Sequence, residues 1–285
     1  MAKDTFLNRK TTLNVGGRLF DLRTPQVMAI LNITPDSFYA ASRTPSIDEA
    51  LQKTDAFLKA GATIIDIGAY SSRPGAVDIT EQEELDRIVP VVEALVKRFP
   101  DAVLSIDTFR AAVAKATVEA GAHIINDISG GTLDERMFET VAQLNVPYIL
   151  MHMKGTPQNM HLEPQYDDVM LEVVDYFSRK VAALRNLGVR DIILDPGFGF
   201  AKNRDHSYEL LNHLEDLKIF GLSYLVGFSR KSMIAKFLKV DPAEALNGTS
   251  VLNTIALQKG ASILRVHDVT PAIECIKLVE RTQRR

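Results

Sequence analysis

Leu187-Gly188-Val189-Arg190-Asp191-Ile192-Ile193-Leu194-Asp195-Pro196-Gly197-Phe198-Gly199-Phe200 contains a helix end, a strand and a loop in fourteen residues. Gly188 closes a helix just before a strand, because glycine readily takes the left-handed conformation found there. Ile192-Ile193-Leu194 reads as a buried parallel strand. Pro196 has no N–H for a ladder and two glycines follow it, so the strand stops at Asp195 and a loop begins. A carboxylate at that junction, beside two phenylalanines, suits a flat polar ligand. The glycines alone would also suit a loop wrapped around phosphate.

The same unit recurs along the chain. Ala60-Gly61-Ala62, Ala120-Gly121-Ala122 and Lys259-Gly260-Ala261 repeat the helix-ending glycine. Apolar runs predict strands at 27–31, 64–67, 103–107, 123–126, 148–152, 192–194, 224–227 and 263–266. Helical spacing predicts helices near 47–58, 81–99 (capped by Thr80), 111–120, 136–144, 166–187, 207–214, 232–238, 248–259 and 271–281. Gly16-Gly17 between Leu13-Asn14-Val15 and Arg18-Leu19-Phe20-Asp21 signals a hairpin. Eight strand-then-helix units in about 250 residues predict an α/β fold, a (β/α)8 TIM barrel. We read one domain over 1–285, with the hairpin at about 11–22 and the barrel at about 26–283. An open doubly wound sheet is the alternative, but it would carry a glycine-rich turn where this chain has Asn32-Ile33-Thr34-Pro35.

The bulk properties exclude several function classes. Of 285 residues, 46% are hydrophobic and 24% charged, a soluble globular composition, and the net charge is -3. That charge gives no electrostatic case for nucleic acid or an anionic membrane. Cys275 is the single cysteine, which excludes an internal disulfide and a cysteine zinc site and reads as a buried thiol. Met1-Ala2-Lys3-Asp4 opens no signal region and no run reaches transmembrane length, so a cytoplasmic location is expected.

In a barrel the strand C-termini converge on one mouth. Those positions are Asn32, Asp66, Asp107, Asn126, His152, Asp195, Ser229-Arg230-Lys231 and Arg265-Val266-His267. Any one Asp or Asn, such as Asp66 or Asp36, also reads as a helix cap. Eight together predict a polar mouth. Asp107, Asn126 and Asp195 supply acceptors for a planar amino-pyrimidinone edge, and Lys231 can donate to its carbonyl or ring nitrogen. Arg265, His267 and Arg73 read as a separate cationic group for an anion. The ligand expected has a donor-rich head and an anionic tail. Metal chemistry through histidine lacks the right spacing, so His152 reads as a core or hydrogen-bonded side chain. Gly227-Phe228-Ser229 lacks the second glycine of a nucleophile elbow.

Eight blocks carry a resemblance. Asn32-Ile33-Thr34-Pro35-Asp36-Ser37-Phe38, Ser72-Arg73-Pro74-Gly75-Ala76, Ser105-Ile106-Asp107-Thr108, Ile125-Asn126-Asp127-Ile128 and Leu150-Met151-His152-Met153 come first. Leu194 to Phe200, Ser229-Arg230-Lys231-Ser232 and Arg265-Val266-His267-Asp268-Val269 complete the set, in order across about 240 residues. The chain resembles the dihydropteroate synthase family of the folate pathway, the target of sulfonamides. The resemblance implies joining 4-aminobenzoate to 6-hydroxymethyl-7,8-dihydropterin diphosphate, with release of diphosphate and with Mg2+ as cofactor. It implies that Asp107, Asn126, Asp195 and Lys231 hold the pterin, in a slot shaped by Met151, Ile128, Phe200 and Gly227. It implies Asn32 as the Mg2+ ligand and Arg265, His267 and Arg73 as holders of diphosphate. Ser72, Pro74, Phe198 and Ser232 would border the aminobenzoate, and Asp107, Asp195, Lys231, Arg265 and His267 would carry the catalysis. A homodimer is also implied.

The chain departs from the family pattern in two loops. Ala69 and Ser72 stand where glycine and threonine are common, and Tyr39-Ala40-Ala41-Ser42 replaces Ser-Asp-Gly-Gly after Phe38. Two rival functions are a methyltetrahydrofolate-binding methyltransferase barrel and a non-catalytic pterin-binding barrel. The first has no diphosphate to hold, so Lys231 with Arg265-Val266-His267 argues against it, and the second would keep only part of a site whose three groups are all present here.

Overall fold

The computed structural model describes residues 9–33, 47–71, 78–156 and 165–283. Ser72, Arg73 and Pro74 of the expected site, Asp36 and the 39–42 segment lie outside them. The hairpin is present: β1 (Thr12–Val15) pairs antiparallel with β2 (Arg18–Asp21). Gly16 and Gly17, at φ 56° and 80°, make its two-residue turn, the geometry that primed hairpin turns require.

Eight parallel strands follow and close into a barrel, as expected. They are β3 (Gln26–Asn32), β4 (Ile64–Gly68), β5 (Val103–Asp107), β6 (Ile124–Asp127), β7 (Tyr148–Met151), β8 (Ile192–Asp195), β9 (Ser223–Val226) and β10 (Ile263–Val266). β10 pairs with β3 to complete the ring, so no strand edge is left open. The helices are α1 (Ile47–Lys59), α2 (Glu81–Arg98), α3 (Ala111–Glu119), α4 (Met137–Leu144), α5 (Val169–Asn186), α6 (Arg204–Asn212), α7 (Ser232–Leu238), α8 (Leu246–Gln258) and α9 (Val269–Gln283).

Local chemistry sets the element boundaries. Thr80 caps α2: its hydroxyl accepts from the Glu83 N–H at 3.2 Å, and the Glu83 carboxylate accepts from the Thr80 N–H at 2.8 Å. α5 begins three residues later than the periodicity predicts, because Asp168 accepts the Leu171 N–H at 2.9 Å and caps it there. Gly61, Gly121, Gly188 and Gly260 end helices at φ between 88° and 107°. A 3-10 helix over Leu214–Phe220 was not predicted; its buried Leu214 and Leu217 are three apart, the repeat of that helix.

Strand alternation positions the site. Met28, Ile64, Val103 and their counterparts on the other five strands, through Ile263, form one apolar layer inside the barrel. Leu13, Val15 and Leu22 of the hairpin segment join that layer and close its lower end. The intervening residues, such as Val27, Ile65 and Leu104, face the helices in a separate core. Side chains two residues further along each strand point to the same face. Above the apolar floor, therefore, come Ile30, Asp66, Ser105, Asn126, Met151, Asp195, Gly227 and Arg265. The barrel interior changes from hydrocarbon to polar within one strand repeat.

Candidate functional site

Asp66 lies at the centre of that polar layer. It is fully buried, and its Oδ2 accepts from the Asn126 amide at 3.0 Å and the Arg265 guanidinium at 2.6 Å. A second Arg265 nitrogen donates to Asp107 Oδ2 at 2.6 Å. One open reading is decided here and one expectation is corrected. Asp66 is no helix cap, since its side chain points into the barrel. Arg265 is not part of a cationic group apart from the acceptors, because its guanidinium bridges two of the carboxylates. Asp66 Oδ1 and the fully buried Ser105 hydroxyl have no hydrogen-bond partner among the described residues. Asp66 was expected at the mouth without a role in binding, and Ser105 was not among the expected site residues, although the count of two from the apolar floor marks both.

Asp107 keeps 20% of its side chain exposed at the rim. Burial among its neighbours raises its pKa to about 7, against the pull of Arg265. Asp195 is 7% exposed and is also raised by burial, with Lys231 opposing. Its Oδ1 accepts the Gly197 N–H at 2.8 Å. That bond holds the carboxylate through Oδ1 and leaves Oδ2 as its other acceptor.

The glycines after Asp195 make room for their neighbours. Lys231 lies along the loop and donates to the Phe198 carbonyl, with its ammonium 4.7 Å from the centre of the Phe200 ring. A side chain on Gly199 would sit 3.3 Å from Lys231 Cδ, and one on Gly227 3.8 Å from Lys231 Nζ. Burial lowers Lys231 to about 8, with Asp195 opposing. Phe198 is corrected: its ring is fully buried against Phe228, 4.5 Å between centres, so only its carbonyl belongs to the site. An apolar residue between two glycines in a tight loop faces whichever side has the larger core, and here that side is beneath the loop.

Gly197 has a second constraint. Its φ is 69°, and an added Cβ would lie 2.2 Å from the His152 carbonyl oxygen. Gly197→Ala is therefore expected to displace the β8–α6 loop and destabilise the fold by at least the 1–2 kcal/mol, roughly, of left-handed strain. Chemical denaturation of the variant measures it.

Ile128, Met151, Met153 and Ala201 form a small apolar cluster, with Phe109 and Phe200 packed on it. The expected slot residues Ile128, Met151 and Phe200 are thus brought together; Met153 and Phe109 are additions. His152 faces away from the barrel interior, being one residue beyond Met151. It is buried, hydrogen-bonded to Lys202, and held neutral by burial and that neighbouring ammonium, in keeping with the hydrogen-bonded reading. His267 Nδ1 is 2.9 Å from the Ser229 hydroxyl, which also accepts the His267 N–H at 3.2 Å. Ser232 is exposed as the first residue of α7.

Asn32 ends β3 beside a gap. A Cβ on Gly68 would lie 3.4 Å from Asp107 Cβ and 3.7 Å from Asn32 Oδ1, so the missing side chain keeps space between an amide oxygen and a carboxylate. Among the described residues no group of three His, Cys, Asp or Glu could hold a metal. One or two protein oxygens with the rest of the shell from phosphate and water is the way Mg2+ is commonly bound, so the donor set fits that ion. No helix of the described residues is long and apolar enough to cross a membrane.

A closed barrel with this acceptor-rich mouth corresponds to a known class: a family model described as pterin binding enzyme matches residues 28–267. The chain is 44% identical to the dihydropteroate synthase of Escherichia coli K12 over 268 residues, 93% of this chain and 94% of that one. It superposes on the Yersinia pestis dihydropteroate synthase in a sulfonamide drug complex with a TM-score of 0.90, at 47% identity, covering 95% and 99% of the two chains. The Xanthomonas albilineans dihydropteroate synthase in complex with 7,8-dihydropteroate gives 0.86 at 34% identity, covering 95% and 98%. The chain belongs to the dihydropteroate synthase family, a family of transferases.

Proposed function

We propose that this chain condenses 6-hydroxymethyl-7,8-dihydropterin diphosphate with 4-aminobenzoate, giving 7,8-dihydropteroate and diphosphate. The observation that carries this reading is a set of carboxylates, Asp66, Asp107 and Asp195, beside the apolar slot of Met151, Ile128 and Phe200. A planar, donor-rich pterin satisfies both halves of that arrangement. Asp107, Asn126 and Asp195 accept from the pterin, and Lys231 donates to it. As the methylene C–O bond breaks, positive charge spreads into the pterin and the nearby carboxylates favour it electrostatically. The aniline nitrogen attacks the methylene carbon and then loses a proton to solvent. It is already unprotonated at neutral pH, so no strong general base is needed. His267 and Arg265, with Arg73 and Asn32, serve the diphosphate end. Asn32 is the residue to hold Mg2+, which supplies charge neutralisation for the departing diphosphate. Ser72, Pro74 and Ser232 border the aminobenzoate, where sulfonamides compete.

The test is diphosphate release measured with and without 4-aminobenzoate and Mg2+. Release that requires the aniline is expected. A complete absence of release would favour the non-catalytic pterin-binding barrel, and transfer of a methyl group from methyltetrahydrofolate would favour the other rival.

The pH profile of kcat/KM for the pterin diphosphate is expected to be a narrow bell. Its rising limb follows ionisation of Asp107 at about 7 and its falling limb deprotonation of Lys231 at about 8. Lys231→Arg, with a guanidinium that stays charged, should extend the alkaline limb. A Lys231→Arg profile that falls where the parent's does would remove Lys231 from that limb. The cytoplasmic location is part of the same proposal, as is a homodimer. In favour of the dimer, Phe237, Leu238, Val251 and Leu278 stand exposed on α7, α8 and α9. Light scattering on the purified chain tests it.

A further inference from the structure

Lys202 has no role in the reaction as described, yet it is one of the most enclosed amines among the described residues, 8% exposed, and burial lowers its pKa to about 7, with Asp195 opposing. It sits in the β8–α6 loop just beyond the Asp195–Phe200 stretch. Its ammonium is 2.9 Å from His152 Nδ1, 3.1 Å from the Phe200 carbonyl, 3.2 Å from the Gly197 carbonyl and 3.4 Å from the His152 carbonyl. Three N–H donors therefore meet four acceptors drawn from the ends of two adjacent strands. None of those acceptors is a carboxylate, so the lysine serves as a hub for backbone rather than as half of an ion pair.

Two of the four acceptors, the Gly197 and Phe200 carbonyls, belong to the loop that forms the pterin site. Gly197, whose carbonyl Lys202 holds, donates its N–H to Asp195 Oδ1 at 2.8 Å. Phe200, whose carbonyl is also held, packs its ring on the Ile128–Met151–Met153 cluster and lies 4.7 Å from the Lys231 ammonium. Between Phe200 and Lys202, Ala201 is held at φ 47°, a strained conformation for a residue with a Cβ, with its carbonyl bonded to the Tyr166 hydroxyl at 2.8 Å. The loop is wound around the ammonium. A neutral side chain of the same length would leave the carbonyls of Gly197, Phe200 and His152 without this shared donor in a nearly closed space.

We propose that Lys202 is a positioning residue. Its buried ammonium gathers the Gly197, Phe200 and His152 carbonyls and thereby fixes both the free oxygen of Asp195 and the ring of Phe200 against the pterin. The proposal rests on the assignment of Asp195 to the pterin. It also requires that the charge, and not only the volume, of the side chain matters.

The experiment compares Lys202→Met, Lys202→Ala and Asp195→Asn in the full chain. It measures pterin affinity by calorimetry and the KM values of both substrates by diphosphate release. For Lys202→Met we expect pterin affinity and the pterin diphosphate KM to worsen about tenfold or more, while the 4-aminobenzoate KM changes little. For Lys202→Ala, added propylammonium should restore pterin affinity and the neutral propanamide should not. Pterin affinity of Lys202→Met equal to the parent's, or equal rescue by amide and amine, overturns the proposal. If instead Asp195→Asn binds pterin normally, the assignment of Asp195 itself fails. Should the Lys202 variants not fold, the parent chain still decides: the 15N signal of its Lys202 ammonium should shift when pterin is added, and an unmoved signal overturns the proposal.

Discussion

Asp195→Ala is expected to weaken pterin binding by about 10- to 150-fold, the equivalent of one charge-assisted acceptor at about 1.5–3 kcal/mol. The loss has two physical parts. On the proposed assignment the oxygen that would accept from the pterin disappears, and the Gly197 N–H loses the carboxylate that it holds at 2.8 Å. Asp195→Asn separates them, since it preserves shape and one acceptor but removes the charge that opposes the burial of Lys231. Calorimetric titration with a pterin lacking the diphosphate is the cleanest measurement, because no other part of the ligand contributes. Unchanged affinity in the alanine variant would move the pterin away from Asp195 and require another residue of the polar layer to take its place.

Arg265→Met is expected to have the largest effect on stability, about 3–5 kcal/mol, because removing one partner leaves buried carboxylates uncompensated. Asp66 is fully buried and Asp107 half-buried at the rim, and Arg265 bonds to both. The pH dependence follows from the sign of the shift. Burial already raises Asp107 to about 7, and Arg265 is the main influence opposing that rise. A carboxyl whose folded pKa is raised favours the folded state at acid pH and loses that contribution as the pH climbs through the folded value. The variant's deficit should therefore be largest above pH about 7 and shrink on acidification, a pattern that urea titrations at several pH values would reveal. Asp66→Asn in the same chain should recover part of the loss, a coupling that a double-mutant cycle measures. Free pterin and pterin diphosphate should both bind more weakly, since the acceptor Asp107 loses its counter-charge. A loss confined to the diphosphate ligand would reinstate a cationic group separate from the acceptors.

Much of this protein was legible in one dimension. Gly61, Gly121, Gly188 and Gly260 mark helix ends because few other residues take their conformation cheaply, and the apolar runs after them can only be buried strands. Repetition of that unit dictates the barrel, and the barrel dictates which residues share a mouth. The polar strand ends Asp107, Asn126 and Asp195 follow directly.

What sequence could not decide was direction and partnership. Whether a strand-end residue faces the mouth or the helices depends on a shift of one position. That shift turns His152 outward to Lys202, while Asp66, which in sequence resembles a helix cap, points inward. Phe198 and Phe200, two residues apart in a loop with no strand pleat, face opposite surroundings because the space beneath the loop accepts one ring and the slot accepts the other. Arg265 is paired with Asp66 and Asp107, 199 and 158 positions away along the chain. Such pairings arise only when the ring of strands closes, because the low polarity of the barrel interior then forces each buried charge to find its opposite. Composition, strand order and the chemistry of the mouth are properties of the sequence; the orientation of each side chain within that mouth, and which charge neutralises which, belong to the closed barrel.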